Sequence, residues 1–113
     1  MNKIKAGVLG ATGTVGQRFI QLLENHPFFE VTELCASEKS SGKNYEDSVS
    51  GRWKISADIP SYARKIKVKD CKPPLDCKLL FSGLDSSVAG PIEEDLAGLG
   101  YIVVSNSKNH RWD

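Results

Sequence analysis

The stretch GVLGATGTVGQRFIQLL, from Gly7 to Leu23, decides how the chain folds. Three of its glycines, Gly10, Gly13 and Gly16, are spaced GxxGxxG. After them Val15, Phe19, Ile20, Leu22 and Leu23 fall largely on one face of a helix. IKAGVLG, which leads into the glycines, has the apolar character of a short strand. Strand, tight loop and helix in that order put backbone N–H groups at a helix N-terminus, and the missing side chains let a polar anion approach them. The spacing departs from the commoner GxGxxG, and a tight turn with close helix packing would also use these glycines. The strand and helix on either side favour the anion, and a dinucleotide's diphosphate is the natural one.

Outward from this unit the pattern repeats. His26 and Pro27 close the first helix, because the residue before proline is pushed out of helical geometry. FEVTELCAS, Phe29 to Ser37, reads as a second strand. From Glu38 to Pro60 the periodicity disappears and serine, glycine and charge dominate, which describes a long surface excursion rather than core and leaves Trp53 without an account. RKIKVKD alternates lysine with Ile66 and Val68, the mark of a strand with one wet face. DCKLLFSG and YIVVSNS supply two further strands around the helix VAGPIEEDLAGLG. In that helix Pro91 suits the first turn, Glu93, Glu94 and Asp95 complement the positive end of the dipole, and Gly98 or Gly100 can stop it. Alternating strands and helices predict an α/β, Rossmann-like parallel sheet with helices on both faces, three layers in all. Such sheets bind ligands beyond the carboxyl ends of their strands, where GATGTVG, SEKSSGK, SGLDSS and SNSKNHR all emerge.

Composition narrows the partners. The 113 residues suit one domain, 1–113, and a formal net charge of +1 gives no field that argues for nucleic acid or an anionic membrane surface. No apolar run approaches a membrane span or a secretory signal, so the expected location is cytoplasmic. Cys35, Cys71 and Cys77 form an odd set with no metal-ligand spacing, and read as reduced thiols with no base or helix N-terminus beside them in sequence. After the second strand come Ser37, Glu38, Lys39 and Ser40. Hydroxyls and a lysine can hold a ribose 2′-phosphate, while Glu38 alone would argue for NAD; the cluster as a whole favours NADP.

GVLGATGTVGQRFIQLLENHPFFEV, ASEKSSGKNYED, FSGLDSSVAGPIEEDLA and VVSNSKNHRWD together resemble the amino-terminal portion of aspartate-semialdehyde dehydrogenase of the archaeal and fungal type. GATGTVGQ is shared with acyl-phosphate reductases such as N-acetyl-glutamyl-phosphate reductase; SGLDSS and SNSKNHR are more specific. The resemblance implies NADPH-dependent reductive dephosphorylation of aspartyl phosphate to aspartate semialdehyde through a cysteine thioacyl intermediate, on the route to lysine, threonine and methionine. It implies that Gly10, Thr12, Gly13, Thr14, Val15 and Gly16 surround the diphosphate, that Ser37, Lys39 and Ser40 surround the adenosine phosphate, and that Ser82, Gly83 and Leu84 lie along the cofactor. Asn106 would stand near the nicotinamide, and Asn109 and Arg111 at the substrate phosphate, where a guanidinium binds bidentately. The family's nucleophilic cysteine and catalytic histidine match none of Cys35, Cys71, Cys77, His26 or His110. The expectation is therefore a cofactor-binding portion with no catalytic residue and no metal, inactive alone, whose catalytic and oligomer-forming domain is not in this chain. Trp112 departs from the smaller residue expected after Arg111. A standalone nucleotide-binding or sensing module is the competing reading, and the stop after NHRWD favours the enzyme portion over it.

Overall fold

The computed structural model of the chain describes residues 3–36, 42–55, 58–71, 75–84 and 86–105. Among the described residues five strands and four helices follow one another as β1 (Ile4–Leu9), α1 (Thr14–Leu22), β2 (Phe29–Ala36), α2 (Tyr45–Ser48), α3 (Ser61–Arg64), β3 (Val68–Asp70), β4 (Leu79–Ser82), α4 (Ser86–Gly98) and β5 (Ile102–Ser105). The strands lie in the order β3-β2-β1-β4-β5, and every neighbouring pair is parallel. This is the doubly wound arrangement expected from the alternation of elements. β1 sits at the centre, and Ala6, Val8 and Leu9 are wholly buried, as the middle of a parallel sheet covered on both faces requires.

The two faces carry separate cores. On the α1 side Val8, Ile20, Leu34, Tyr45, Val49 and Val68 pack together, with Phe81 touching the rings of Phe19 and Phe29 at 5.5 Å each. On the other side Leu9, Cys35, Leu80 and Leu96 form a smaller cluster that joins α4 to the sheet. Because strand side chains alternate, Val103 faces this second cluster while Ile102 and Val104 stay open to solvent on the opposite face of β5.

Three expectations are corrected. Pro91 lies inside α4, which begins five residues earlier at Ser86, so Glu93 is a mid-helix residue rather than part of the first turn. It is buried, and the Ser82 hydroxyl bonds to its carboxylate. The helix stops at Gly100, at φ +101°, with Tyr101 N–H bonded to the Leu96 carbonyl and Gly100 N–H to that of Ala97, the paired bonds of a Schellman cap. Secondly, the excursion after β2 does carry core: Tyr45 is fully buried, Val49 nearly so, and Trp53 anchors the segment edge-on to the Tyr45 ring at 6.3 Å. Thirdly, RKIKVKD is only half a sheet strand. Arg64 ends α3, and Tyr45 N–H and Val68 N–H bond across to the Ile66 and Lys43 carbonyls, so the excursion takes up the hydrogen bonds that precede β3. Lysines 65, 67 and 69 are exposed, as their alternation predicted, although the Lys69 ammonium also holds the buried Glu33 carboxylate at 2.9 Å.

Burial sets a prediction for alkaline pH. Desolvation raises the hydroxyls of Tyr45 and Tyr62 above their ordinary 10.0, and raises the Cys77 thiol from 9.0 to about 11. Raised folded-state values mean that the native chain keeps protons the unfolded chain releases. Their stabilisation is complete below pH 9.0 and falls as the thiol and then the phenols titrate in the unfolded chain. Urea midpoints should fall steadily above that pH, and the fall should be shallower in Tyr62→Phe; a midpoint flat to pH 11 would contradict the burial described.

Candidate functional site

β1 is flanked by β2 on one side and β4 on the other, so the connections leaving β1 and β4 part company at this point of the sheet. A crevice at the carboxyl edge follows from that divergence. Three glycines bring the backbones lining it together. Gly10 has φ +70°, which side chains disfavour, and a Cβ there would stand 3.0 Å from the Gly83 carbonyl. A Cβ on Gly16 would lie 2.1 Å from the Gly10 oxygen, and one on Gly83 would lie 2.6 Å from the Gly16 nitrogen. Gly83 N–H in turn bonds to the Leu9 carbonyl at 2.8 Å. These three positions are therefore needed by the packing of turn, helix and second loop.

Gly13 differs. A Cβ on it would meet nothing nearer than the Gly10 oxygen at 3.6 Å, and its backbone, φ −82° and ψ 171°, is open to any residue. It is the N-cap of α1 and makes no side-chain cap, while Thr14 and Val15 behind it are exposed. The first N–H groups of a helix have no partner within it, and the dipole adds positive potential there. The packing does not explain Gly13, and the N–H groups behind it are free of side-chain caps.

Two residues that sequence reasoning passed over brace the turn. Gln17, 1% exposed, donates from Nε2 to the Thr12 carbonyl at 2.9 Å and to the Arg52 carbonyl at 3.0 Å, and its Oε1 accepts Lys54 N–H at 2.7 Å. Tyr45 donates its hydroxyl to the Ala11 carbonyl at 2.7 Å. Gln17 stood in plain view inside GATGTVGQ, but nothing in its residue type announced a buried amide. Tyr45 was hidden by the serine, glycine and charge that surround it.

The β4 loop closes the crevice. Ser82 is 1% exposed and its hydroxyl is directed at Glu93, so at this position a ligand would meet backbone rather than the hydroxyl. Leu84, half-buried, follows Gly83, and its N–H reaches back to Ser82 Oγ at 3.4 Å. The other sequence-assigned positions, Ser37, Lys39, Ser40, Asn106, Asn109 and Arg111, lie outside the described residues, as do Glu38, His110 and Trp112. β2 and β5, which lead into them, end at the same carboxyl edge as β1.

The cysteines separate by environment. Cys35 is buried, and its hydrogen bond to Cys71 together with desolvation raises its thiol far above the usual value. Cys71 is lowered, first by that same bond from Cys35 and then by the Gly10 backbone, although burial works against it. In the geometry Cys71 Sγ is directed at the Ala36 carbonyl at 3.9 Å, beside the end of β2. His26 accepts Phe28 N–H on Nδ1 at 3.1 Å and stacks on Phe29 at 4.9 Å, a role at the end of the first unit and far from the crevice. A cavity of about 470 Å³ lined by Lys5, Leu75, Lys78 and Tyr101 lies at the opposite, amino-terminal edge of the strands and does not touch the glycine turn. Among the described residues no group of three His, Cys, Asp or Glu side chains is placed to hold a metal ion, and no helix is long and apolar enough to cross a membrane.

The sequence profile of the family described as "Semialdehyde dehydrogenase, NAD binding domain" matches residues 5–113. The chain belongs to this semialdehyde dehydrogenase family. Aspartate-semialdehyde dehydrogenase of Candida albicans is 52% identical over 114 residues, an alignment covering 98% of this chain and 31% of that protein. The crystal structure of the Candida albicans enzyme with NADP superposes with a TM-score of 0.88 at 50% identity, over 96% of this chain and 30% of that one. Another relative within the alignment range of the family is a malonyl CoA reductase (NADP) of Metallosphaera sedula, 41% identical over 97% of this chain and 30% of its own length. The chain thus spans about a third of the length of the curated relatives it matches. The five-stranded parallel sheet, with its glycine turn at the crevice, is the semialdehyde dehydrogenase cofactor-domain fold.

Proposed function

We propose that residues 1–113 are the NADP-binding domain of an aspartate-semialdehyde dehydrogenase, with the cofactor's diphosphate at the N-terminus of α1. The observation that carries this reading is Gly13: a glycine the packing does not require, placed as N-cap where helix N–H groups open onto the crevice. Thr12, Gly13, Thr14, Val15 and Gly16 surround the diphosphate, with Gly10 and Gly16 fixing the turn. Ser37, Lys39 and Ser40 receive the 2′-phosphate, since they follow the end of β2, the strand beside β1. Ser82, Gly83 and Leu84 line the cofactor through their backbone, Asn106 follows toward the nicotinamide, and Asn109 and Arg111 reach the substrate phosphate.

Bound NADPH supplies a hydride; the residues of this chain bind and orient it. The whole protein would reduce aspartyl phosphate to aspartate semialdehyde in the cytoplasm, with the thiol nucleophile, the acid-base histidine and any oligomer contacts supplied outside residues 1–113. The 52% identity to an aspartate-semialdehyde dehydrogenase, against 41% to the malonyl CoA reductase, supports an acyl phosphate over a CoA thioester as substrate.

Titration of the chain with NADPH and with NADH, followed by nicotinamide fluorescence, tests the cofactor assignment. NADPH should bind about tenfold more tightly, as one lost charge-assisted contact predicts, and Lys39→Ala should shrink that preference. Equal affinity for both cofactors in the wild-type chain would remove the 2′-phosphate role from Ser37, Lys39 and Ser40.

A further inference from the structure

Every backbone carbonyl of the glycine turn accepts a hydrogen bond from within the protein. The Gly10 oxygen takes Gly13 N–H at 3.1 Å and the Gly13 oxygen takes Gln17 N–H at 2.9 Å, bonds local to the turn and the helix start. The two between them are met by side chains: Ala11 by the Tyr45 hydroxyl at 2.7 Å and Thr12 by Gln17 Nε2 at 2.9 Å. Carbonyl oxygens repel a diphosphate as amide hydrogens attract it, so an anion site requires these oxygens to point away.

A peptide unit is planar, with its C=O and N–H on opposite edges, so fixing one fixes the other. Tyr45 holds the Ala11 carbonyl inward, and that turns Thr12 N–H to the far side of the same plane. The Gly13 carbonyl, held by Gln17 N–H, likewise turns Thr14 N–H outward. Gln17 Nε2 keeps the remaining oxygen, on Thr12, bonded toward the segment Arg52 to Lys54. We infer that Tyr45 and Gln17 are positioning residues for the diphosphate: they hold the Ala11 and Thr12 carbonyls away so that the turn offers a bound anion amide hydrogens alone. The inference rests on the dinucleotide reading above and adds to it two residues outside the ligand's contact shell, one of them contributed by the excursion after β2.

Tyr62 provides a matched control. Its hydroxyl donates to the Ile20 carbonyl at 2.6 Å, the same kind of bond to α1, but remote from the turn. Affinities of the wild-type chain, Tyr45→Phe and Tyr62→Phe should be measured for NADPH, and by competition for adenosine 2′-monophosphate, which has no diphosphate. Tyr45→Phe should weaken NADPH about fivefold, the worth of one oriented hydrogen bond, while Tyr62→Phe changes it by less than about twofold. Adenosine 2′-monophosphate should be unaffected by either change. Equal losses of NADPH affinity in the two variants, or a loss for adenosine 2′-monophosphate as large as for NADPH, would overturn the positioning role while leaving the dinucleotide assignment intact. A wild-type chain that ignores NADPH would overturn both.

Discussion

Gly16→Ala is expected to destabilise the chain by about 3 kcal/mol, a large share of the stability of a domain this size. The added methyl carbon would sit 2.1 Å from the Gly10 oxygen and 2.8 Å from Ala11 Cα, both backbone atoms that cannot move aside singly. Relief would require α1 to withdraw from the turn and from Gly83, which packs against Gly16 from the other loop. The better helix propensity of alanine, about 1 kcal/mol, offsets only part of this. Gly13→Ala supplies the contrast: its nearest neighbour is 3.6 Å away, so the urea midpoint should hardly change. Affinity for NADPH should nevertheless fall about tenfold, because the methyl group stands where the anion must approach. An undiminished midpoint in Gly16→Ala would show that turn and helix are joined less closely than described; unchanged NADPH binding in Gly13→Ala would take the anion away from the helix N-terminus.

The second large loss is expected at Gln17. Gln17→Leu keeps the volume but strands the Thr12 and Arg52 carbonyls and Lys54 N–H, all of which the amide satisfies. Three part-buried hydrogen bonds lost together cost about 3 kcal/mol. The damage should be local as well as global, since Gln17 is the polar tie between α1 and the segment around Trp53. Trypsin should cut after Arg52 and Lys54 faster in the variant, relative to other sites, when followed by mass spectrometry. A cleavage pattern identical to wild type would mean that Trp53 and Val49 hold the segment without the amide.

The sheet was legible because β-branched and apolar runs bounded by glycine and serine are hard to read otherwise, and β1, β2, β4 and β5 all fell where those runs lie. The parallel arrangement followed from the alternation of strands and helices, and the glycine turn from GATGTVG, whereas the strand order had to come from the structure. What escaped was whatever depends on distant partners. Glu93 read as a helix-start acid because Pro91 looked like a first-turn proline; only the fold shows Ser82, eleven residues away, bonding to that carboxylate. The excursion read as surface because Tyr45, Val49 and Trp53, although four residues apart, stand as single apolar residues in a stretch dominated by serine, glycine and charge; each is an anchor. RKIKVKD read as one strand, and the chain divides its backbone bonds between β2 and the excursion. Periodicity reports which residues share a face, and it is silent on single anchors and polar pairs.

The internal engagement of all four turn carbonyls bears on the thermodynamics of association. A loop tethered through Tyr45 and Gln17 to the core has little freedom left to surrender when a nucleotide arrives. Uptake at this end of the sheet should therefore resemble docking to a rigid cradle, with a modest heat-capacity change and no ordering penalty from the turn itself.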